Sequence, residues 1–126
     1  MKNEFNSFID LIEKNFEICP WTKTRTLEQW KDELVEETNE VSKAIENLDY
    51  KNLKEELGDL LWDTITIAIF AEKEGHFNSA DIFKDLKEKI NRRKPYLQTG
   101  EKVNVEEALE IWKKVKATEK LKEVVE

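Results

Sequence analysis

The chain is poor in residues that break or staple a backbone. Its 126 residues include three glycines, two prolines and one cysteine. So few turn formers exclude a many-stranded fold punctuated by tight turns and favour long amphipathic helices. A lone cysteine, Cys19, cannot close an internal disulfide, and a reducing cytoplasm is then the simplest compartment. No apolar run reaches the ~18 residues of a membrane span. The start, Met1-Lys2-Asn3-Glu4-Phe5, lacks the apolar centre of a signal peptide. A basic arm is missing too: 21 Lys and Arg stand against 28 Asp and Glu, a net charge of −7. That balance argues against polymeric nucleic acid, where phosphate neutralisation drives affinity. It leaves room for a small phosphorylated ligand held by a local basic cluster. The single histidine, His76, falls outside any Glu-x-x-His pairing of the di-iron bundles.

What is present is helical periodicity. Phe5, Phe8, Ile9, Ile12 and Phe16 predict a first helix over about 4–16. Pro20 pushes Cys19 out of the α region, so 19–25 reads as a loop, with Trp21 as a core plug or a ligand contact. Thr26 and Gln29 form a capping-box pattern that opens a second helix running to about Asn47. Its apolar series is Leu27, Trp30, Leu34, Val41, Ala44, Ile45 and Leu48. After a short turn with Asp49 as N-cap, a third helix runs to about Glu74 and stops at Gly75. From Leu60 to Ala71 it is apolar nearly all round, which means that protein surrounds it. One chain of this length supplies little such cover, so a homodimer, or a dimer of dimers, is expected. A fourth helix is expected over about 80–93, ending in Arg92-Arg93-Lys94-Pro95, and a last one from about Val105 to Val124 behind an Asn104 cap. The sum is an all-α antiparallel bundle of about five helices, its core completed by homodimerisation. It forms one domain over 5–118 with a fraying tail over 119–126.

The second and third helices each carry a pair of acids three residues apart. Glu37 and Glu40 lie on the second, Glu56 and Asp59 on the third. Residues at that spacing share a face, so two antiparallel helices can aim four carboxylates at one spot. Glu37 falls in the middle of the apolar stripe, where a carboxylate must be paired, protonated or metal-bound. An all-oxygen set suits Mg²⁺, with Mn²⁺ second, rather than zinc or iron. Mg²⁺ is usually held by carboxylates together with substrate phosphates, and phosphates ask for cations. Lys89, Arg93 and Lys116 are the inward candidates, and Trp112, Trp30 or Trp21 could stack on a base. A fifth acid, Glu36 or Asp63, could orient a water. Gly58, between the acids of the third helix, suggests close approach by another backbone or a ligand.

Five ordered blocks carry a family resemblance. They are Cys19-Pro20-Trp21, Leu34 to Val41, Glu55 to Leu61, Lys89 to Pro95 and Trp112 to Lys116. Together they resemble the MazG family over about residues 5–118. The resemblance implies an all-α, usually dimeric enzyme that uses Mg²⁺ to hydrolyse nucleoside triphosphates to the monophosphate and pyrophosphate, a nucleotide-pool house-cleaning activity. By the same resemblance Glu37, Glu40, Glu56 and Asp59 match the metal-binding, catalytic acids. Lys89, Arg93, Trp112 and Lys116 match residues of substrate binding and turnover. The chain departs from the family at Thr22, often an acid, and at Lys94, often a histidine, and it has one such domain where many members have two. Two other readings stand beside this one: a related all-α pyrophosphatase of narrow specificity, for dUTP, dCTP or phosphoribosyl-ATP, and a non-enzymatic helical interaction module with solvated acidic faces.

Overall fold

Seven helices and no strand are found among the described residues, 1–125, in a computed structural model of the chain. They are α1 (Lys2–Ile18), α2 (Pro20–Thr24), α3 (Leu27–Glu46), α4 (Tyr50–Lys73), α5 (Ser79–Arg93), α6 (Tyr96–Thr99) and α7 (Val105–Val125). The chain divides into two compact units, Met1–Ser79 and the residues from Ala80 onward, and each is taken by itself. The all-helical class agrees with the sequence, and the five long helices lie where the periodicity puts them. The short helix α2 corrects the reading of 19–25 as a loop, and a second short helix, α6, lies in the segment between Pro95 and Val105 for which the periodicity gave no element. Pro20 does keep Cys19 extended (φ −74°, ψ 113°), but it then occupies the first position of α2, where a missing N–H costs nothing. α7 carries helix through Lys120, where fraying was expected, as far as Val125; the last residue of the expected tail, Glu126, lies outside the described residues.

In the first unit, α4 packs on α3 and on α1. Ile12, Ile65 and Ile69 form the centre, with Phe8, Ile9, Phe16 and Trp62 around them. Phe8 meets Trp62 at 6.2 Å between ring centroids, and Phe16 meets Phe70 at 6.4 Å. The capping box at Thr26 is complete: its hydroxyl accepts from the Gln29 N–H, and the Gln29 side chain accepts from the Thr26 N–H. Trp21 does not plug the core. It is half exposed, while its neighbour Thr22 is buried and accepts a hydrogen bond from Asn15 Nδ2 at 2.9 Å. The fully buried tryptophan is Trp30.

The turn between α3 and α4 fixes the register of the acids. Asp49 caps α4 by accepting from the Asn52 N–H. Before it, the Asp49 N–H donates to the Ala44 carbonyl at 3.0 Å and the Leu48 N–H to the Ile45 carbonyl at 3.1 Å. This is a Schellman closure, and it puts Leu48 at φ 54°. Leu48 therefore leaves the apolar stripe assigned to it and stands largely exposed. α4 ends in the same way, with Gly75 at φ 85°, a conformation natural for glycine.

In the second unit, the half-buried residues of α7 are Ala108, Ile111, Trp112, Val115 and Glu119. That is one helical stripe at steps of three and four. Lys116 lies off it and is exposed, so the inward position one turn further along belongs to Glu119.

Candidate functional site: an acidic triad between two helices

α3 packs against α4, and Leu34, Val41 and Ala44 are buried or half-buried on one stripe of α3 that Glu37 interrupts one turn after Leu34. On α4, Glu56 and Asp59 lie one turn apart, just before the apolar run. Glu37, Glu56 and Asp59 come together, each offering a carboxylate oxygen within 4.8 Å of the others. Glu37 and Glu56 are half-buried and Asp59 is open to solvent. Glu37 Oε2 is buried and has no hydrogen-bond partner. The Glu37 carboxyl is pushed up to about 7, first by burial, then by a hydrogen bond with Glu56 and the charges of Asp59, Glu56 and Asp63. Burial and the crowding of three acids favour the protonated form of Glu37, because a second and third negative charge close by disfavour its ionisation.

The fourth acid of the two pairs, Glu40, stands outside this triad. It is half-buried and pairs with Lys43 at 3.6 Å, one turn along its own helix. The structure thus brings three of the four acids together.

A second polar group joins α2 and the residue after it to the same two helices. The Arg25 guanidinium pairs with Glu33 at 2.8 Å and covers the rings of Trp21 and Trp30 at 4.2 and 4.9 Å. Trp21 meets Trp30 edge-on at 5.8 Å. Asp63, 3% exposed, belongs to this group. Burial raises its carboxyl to about 6, the charges of Glu33 and Asp59 add to that, and Arg25 acts against it. Arg25 Nε, Trp30 Nε1, Asp63 Oδ2 and Thr66 Oγ1 are all buried without a partner. The sequence offered Asp63 as an acid to orient a water and gave Glu33 no role. Arg25, in a segment without helical period, gave no sign that it would cover two tryptophans.

The basic candidates lie in the second unit. Lys89 and Arg93 are half-buried on α5. Arg93 donates to Glu119 Oε2 from Nε at 3.2 Å and from Nη2 at 2.7 Å, and Arg92 Nε donates to Glu119 Oε1 at 3.1 Å. Arg93 also lies over the Trp112 ring at 4.9 Å, with Lys94 Nζ at 5.8 Å from the same ring. Glu119 was not singled out from the sequence, although its seven-residue step from Trp112 marks it as a residue of the inner face.

The donor set fits a hard divalent cation: all its ligands are oxygen, and a buried, unpartnered carboxylate oxygen faces crowded negative charge that a cation would relieve. No helix among the described residues is long and apolar enough to cross a membrane.

Comparison with known proteins narrows the chemistry. Residues 25–98 match the family profile of the MazG nucleotide pyrophosphohydrolase domain. The chain is 36% identical over 103 residues to the nucleoside triphosphate pyrophosphohydrolase of Escherichia coli, which covers 81% of this chain and 39% of that protein. It is 33% identical over 118 residues to the nucleoside triphosphate pyrophosphohydrolase/pyrophosphatase MazG of Thermotoga maritima, covering 92% of this chain and 45% of that protein. The chain therefore spans less than half the length of these curated relatives. Among solved structures, a mazG-related protein from Thermotoga maritima superposes with a TM-score of 0.83 at 33% identity, covering 89% of this chain and 98% of that one. Both the profile, which takes in the triad and the basic end of α5, and the structural likeness across nearly the whole chain lead to one assignment: this chain belongs to the MazG nucleotide pyrophosphohydrolase domain family.

Proposed function

We propose that the chain hydrolyses nucleoside triphosphates to the nucleoside monophosphate and pyrophosphate, with Mg²⁺, or Mn²⁺ in its place, as cofactor. The observation that carries this reading is the convergence of Glu37, Glu56 and Asp59, with an unpartnered buried oxygen on Glu37. Family membership supplies the reaction class, and the names of the full-length relatives support a triphosphate substrate.

Glu37, Glu56 and Asp59 would hold the cation, with Glu40 joining once it leaves Lys43. A bound Mg²⁺ supplies Lewis acidity toward phosphate oxygens and lowers the pKa of water. Water attacks the α-phosphorus, the bond from that phosphorus to the bridging oxygen breaks, and pyrophosphate leaves. A carboxylate takes the proton of the attacking water. Of the two acids considered for that task, Glu36 is exposed and reachable by solvent, whereas Asp63 is enclosed. Lys89, Arg93 and Lys116 neutralise the outer phosphates. Trp112 acts through Arg93, whose guanidinium it carries.

A second copy of the chain completes the fold in this reading. Leu57 and Leu61 of α4 are 43% and 50% exposed. A recess of about 670 Å³, lined by Phe5, Phe8 and Leu61 among others, lies beside the same helix. A homodimer that covers this surface removes an apolar liability from water.

The test is a pyrophosphate-release assay with Mg²⁺ over a panel of ribo- and deoxynucleoside triphosphates and phosphoribosyl-ATP. Release from several triphosphates supports the broad activity, and release from one alone supports a narrow pyrophosphatase. No release from any member of the panel, with the protein folded and Mg²⁺ present, overturns the reading.

A further inference from the structure

Arg92 and Arg93 end α5, where cations suit the helix dipole and nothing more is needed to explain them. Their partner makes them unusual. Glu119 receives both, one on each carboxylate oxygen: Arg92 on Oε1, and Arg93 twice on Oε2. Its carboxyl is held below the usual carboxylate range, first by the hydrogen bond from Arg93, so it stays ionised. The Glu119 and Arg93 side chains are 22% and 14% exposed, unlike the freely solvated pairs of this surface.

The geometry leaves specific donors free. A guanidinium has five N–H groups in a planar fork. Arg93 commits Nε and one N–H of Nη2 to Glu119, which leaves the edge formed by its two terminal nitrogens. Arg92 commits Nε alone and keeps both terminal nitrogens. That terminal edge matches two phosphate oxygens. Trp112 lies against Arg93 and Lys94, which limits the swing of both cations. Arg92, Arg93 and Lys94 carry three positive charges against one from Glu119, so the group keeps a net attraction for anions.

We propose that Glu119 is a positioning residue, which grips Arg92 and Arg93 by their Nε sides and turns them into a two-armed clamp for the phosphates of the substrate. Arg92 thereby becomes a substrate-binding residue, not only a charge at a helix end. The proposal rests on the reading of Arg93 as a phosphate-binding residue. An alternative role for Glu119, as an internal anion that competes with phosphate, predicts the opposite sign of effect.

The experiment uses the full chain with Mg²⁺, steady-state kinetics on its best triphosphate, and calorimetric binding of inorganic tripolyphosphate as a probe without a base. Glu119→Gln is expected to raise KM about tenfold and weaken tripolyphosphate by a similar factor, with kcat within about twofold, as befits loss of one charge-assisted group that orients a binding residue. In a background that carries both Arg92→Ala and Arg93→Ala the same substitution should add nothing to KM. A purely structural role would cost the same in both backgrounds. Arg92→Ala, at an exposed position where folding is not at stake, should also raise KM several-fold. The proposal is overturned if Glu119→Gln and Arg92→Ala leave KM unchanged, or if Glu119→Gln tightens tripolyphosphate. If Arg93→Ala itself leaves KM and kcat unchanged, the phosphate-binding reading of Arg93 fails first and takes this proposal with it. If Glu119→Gln loses its helical circular dichroism, the Arg92→Ala result decides.

Discussion

Glu37 is the residue on which the site turns. A carboxylate placed mid-stripe is either an error of packing or the sign of a cation, and its unpartnered buried oxygen favours the second. Glu37→Gln is expected to lower turnover by more than about 100-fold, since the loss of even a supporting group around a metal costs 10- to 100-fold. In metal-free protein the same change should raise the melting temperature by about 4 °C, the equivalent of roughly 1 kcal/mol of relieved repulsion. Turnover at the parental rate would refute the assignment, and an unchanged or lower metal-free melting temperature would refute the crowding. The pH dependence has a definite sign. Glu37 and Asp63 both have carboxyls raised in the folded chain, to about 7 and about 6. Their folded forms bind protons that the unfolded chain has already released. These two groups therefore stabilise the metal-free protein most below their ordinary carboxylate values, and that contribution is lost as pH rises from about 4 to about 7, by at most about 1.4 kcal/mol for each pKa unit of displacement. Asp63→Asn should flatten part of that slope in thermal melts across this range. A slope that Asp63→Asn leaves unaltered would contradict its shift. The sequence revealed Glu37 because an acid in an apolar stripe breaks a pattern. It did not reveal the Arg25 contacts or the role of Glu119, because those depend on which side chains meet across helices, and periodicity is silent on that.

The α3–α4 hairpin carries the acids, and its turn is the element most open to test. Leu48 stands at φ 54° and is mostly exposed. An L-residue there costs about 1–2 kcal/mol. Leu48→Gly is expected to stabilise the chain by about 1 kcal/mol in denaturant melts, because glycine takes that conformation freely and little packing is lost. A destabilised variant would show that the Leu48 side chain has cover that this chain alone does not provide. Gly58 offers a parallel case. A methyl group added there meets nothing within 4 Å. Gly58→Ala should add about 1 kcal/mol of helix stability. If turnover collapses while the melting temperature rises, then the close approach expected at Gly58 is made by a nucleotide or a second copy. Helix positions and caps were legible because they are local: Thr26 with Gln29, Asp49 with Asn52, and Asn104 with the Glu107 N–H at 2.8 Å all repeat short sequence signatures. α2 was missed because a proline that ends one helix is also a good first residue for the next. Leu48 was misplaced because a Schellman closure, which takes the chain out of register, shows in sequence chiefly when glycine marks it.

For the molecule as a whole, the pertinent quantities are charge, cation and copy number. The net charge of −7 leaves the acids on α3 and α4 short of compensation. MgCl₂ is expected to raise the melting temperature well beyond the effect of NaCl at equal ionic strength, with about 2.7 kcal/mol gained at 100 times the dissociation constant. Equal shifts with the two salts would remove the cation from the account. The exposed Leu57 and Leu61 make a second expectation. Sedimentation should give a dimer at micromolar concentration, and Leu61→Glu should shift it toward monomer; an unaltered monomer in both would leave this face without a partner. The all-α class was legible because scarce glycine and proline leave few other options.

The joint between α3 and α4 has a consequence for how the protein folds. All three acids of the triad lie between positions 37 and 59, on two helices linked only by Asn47, Leu48 and Asp49. Helices paired through so short a connection form early in a folding reaction, because closing the loop costs little entropy. In refolding experiments the hairpin that carries the acids can thus take shape without waiting for the arginines at the end of α5.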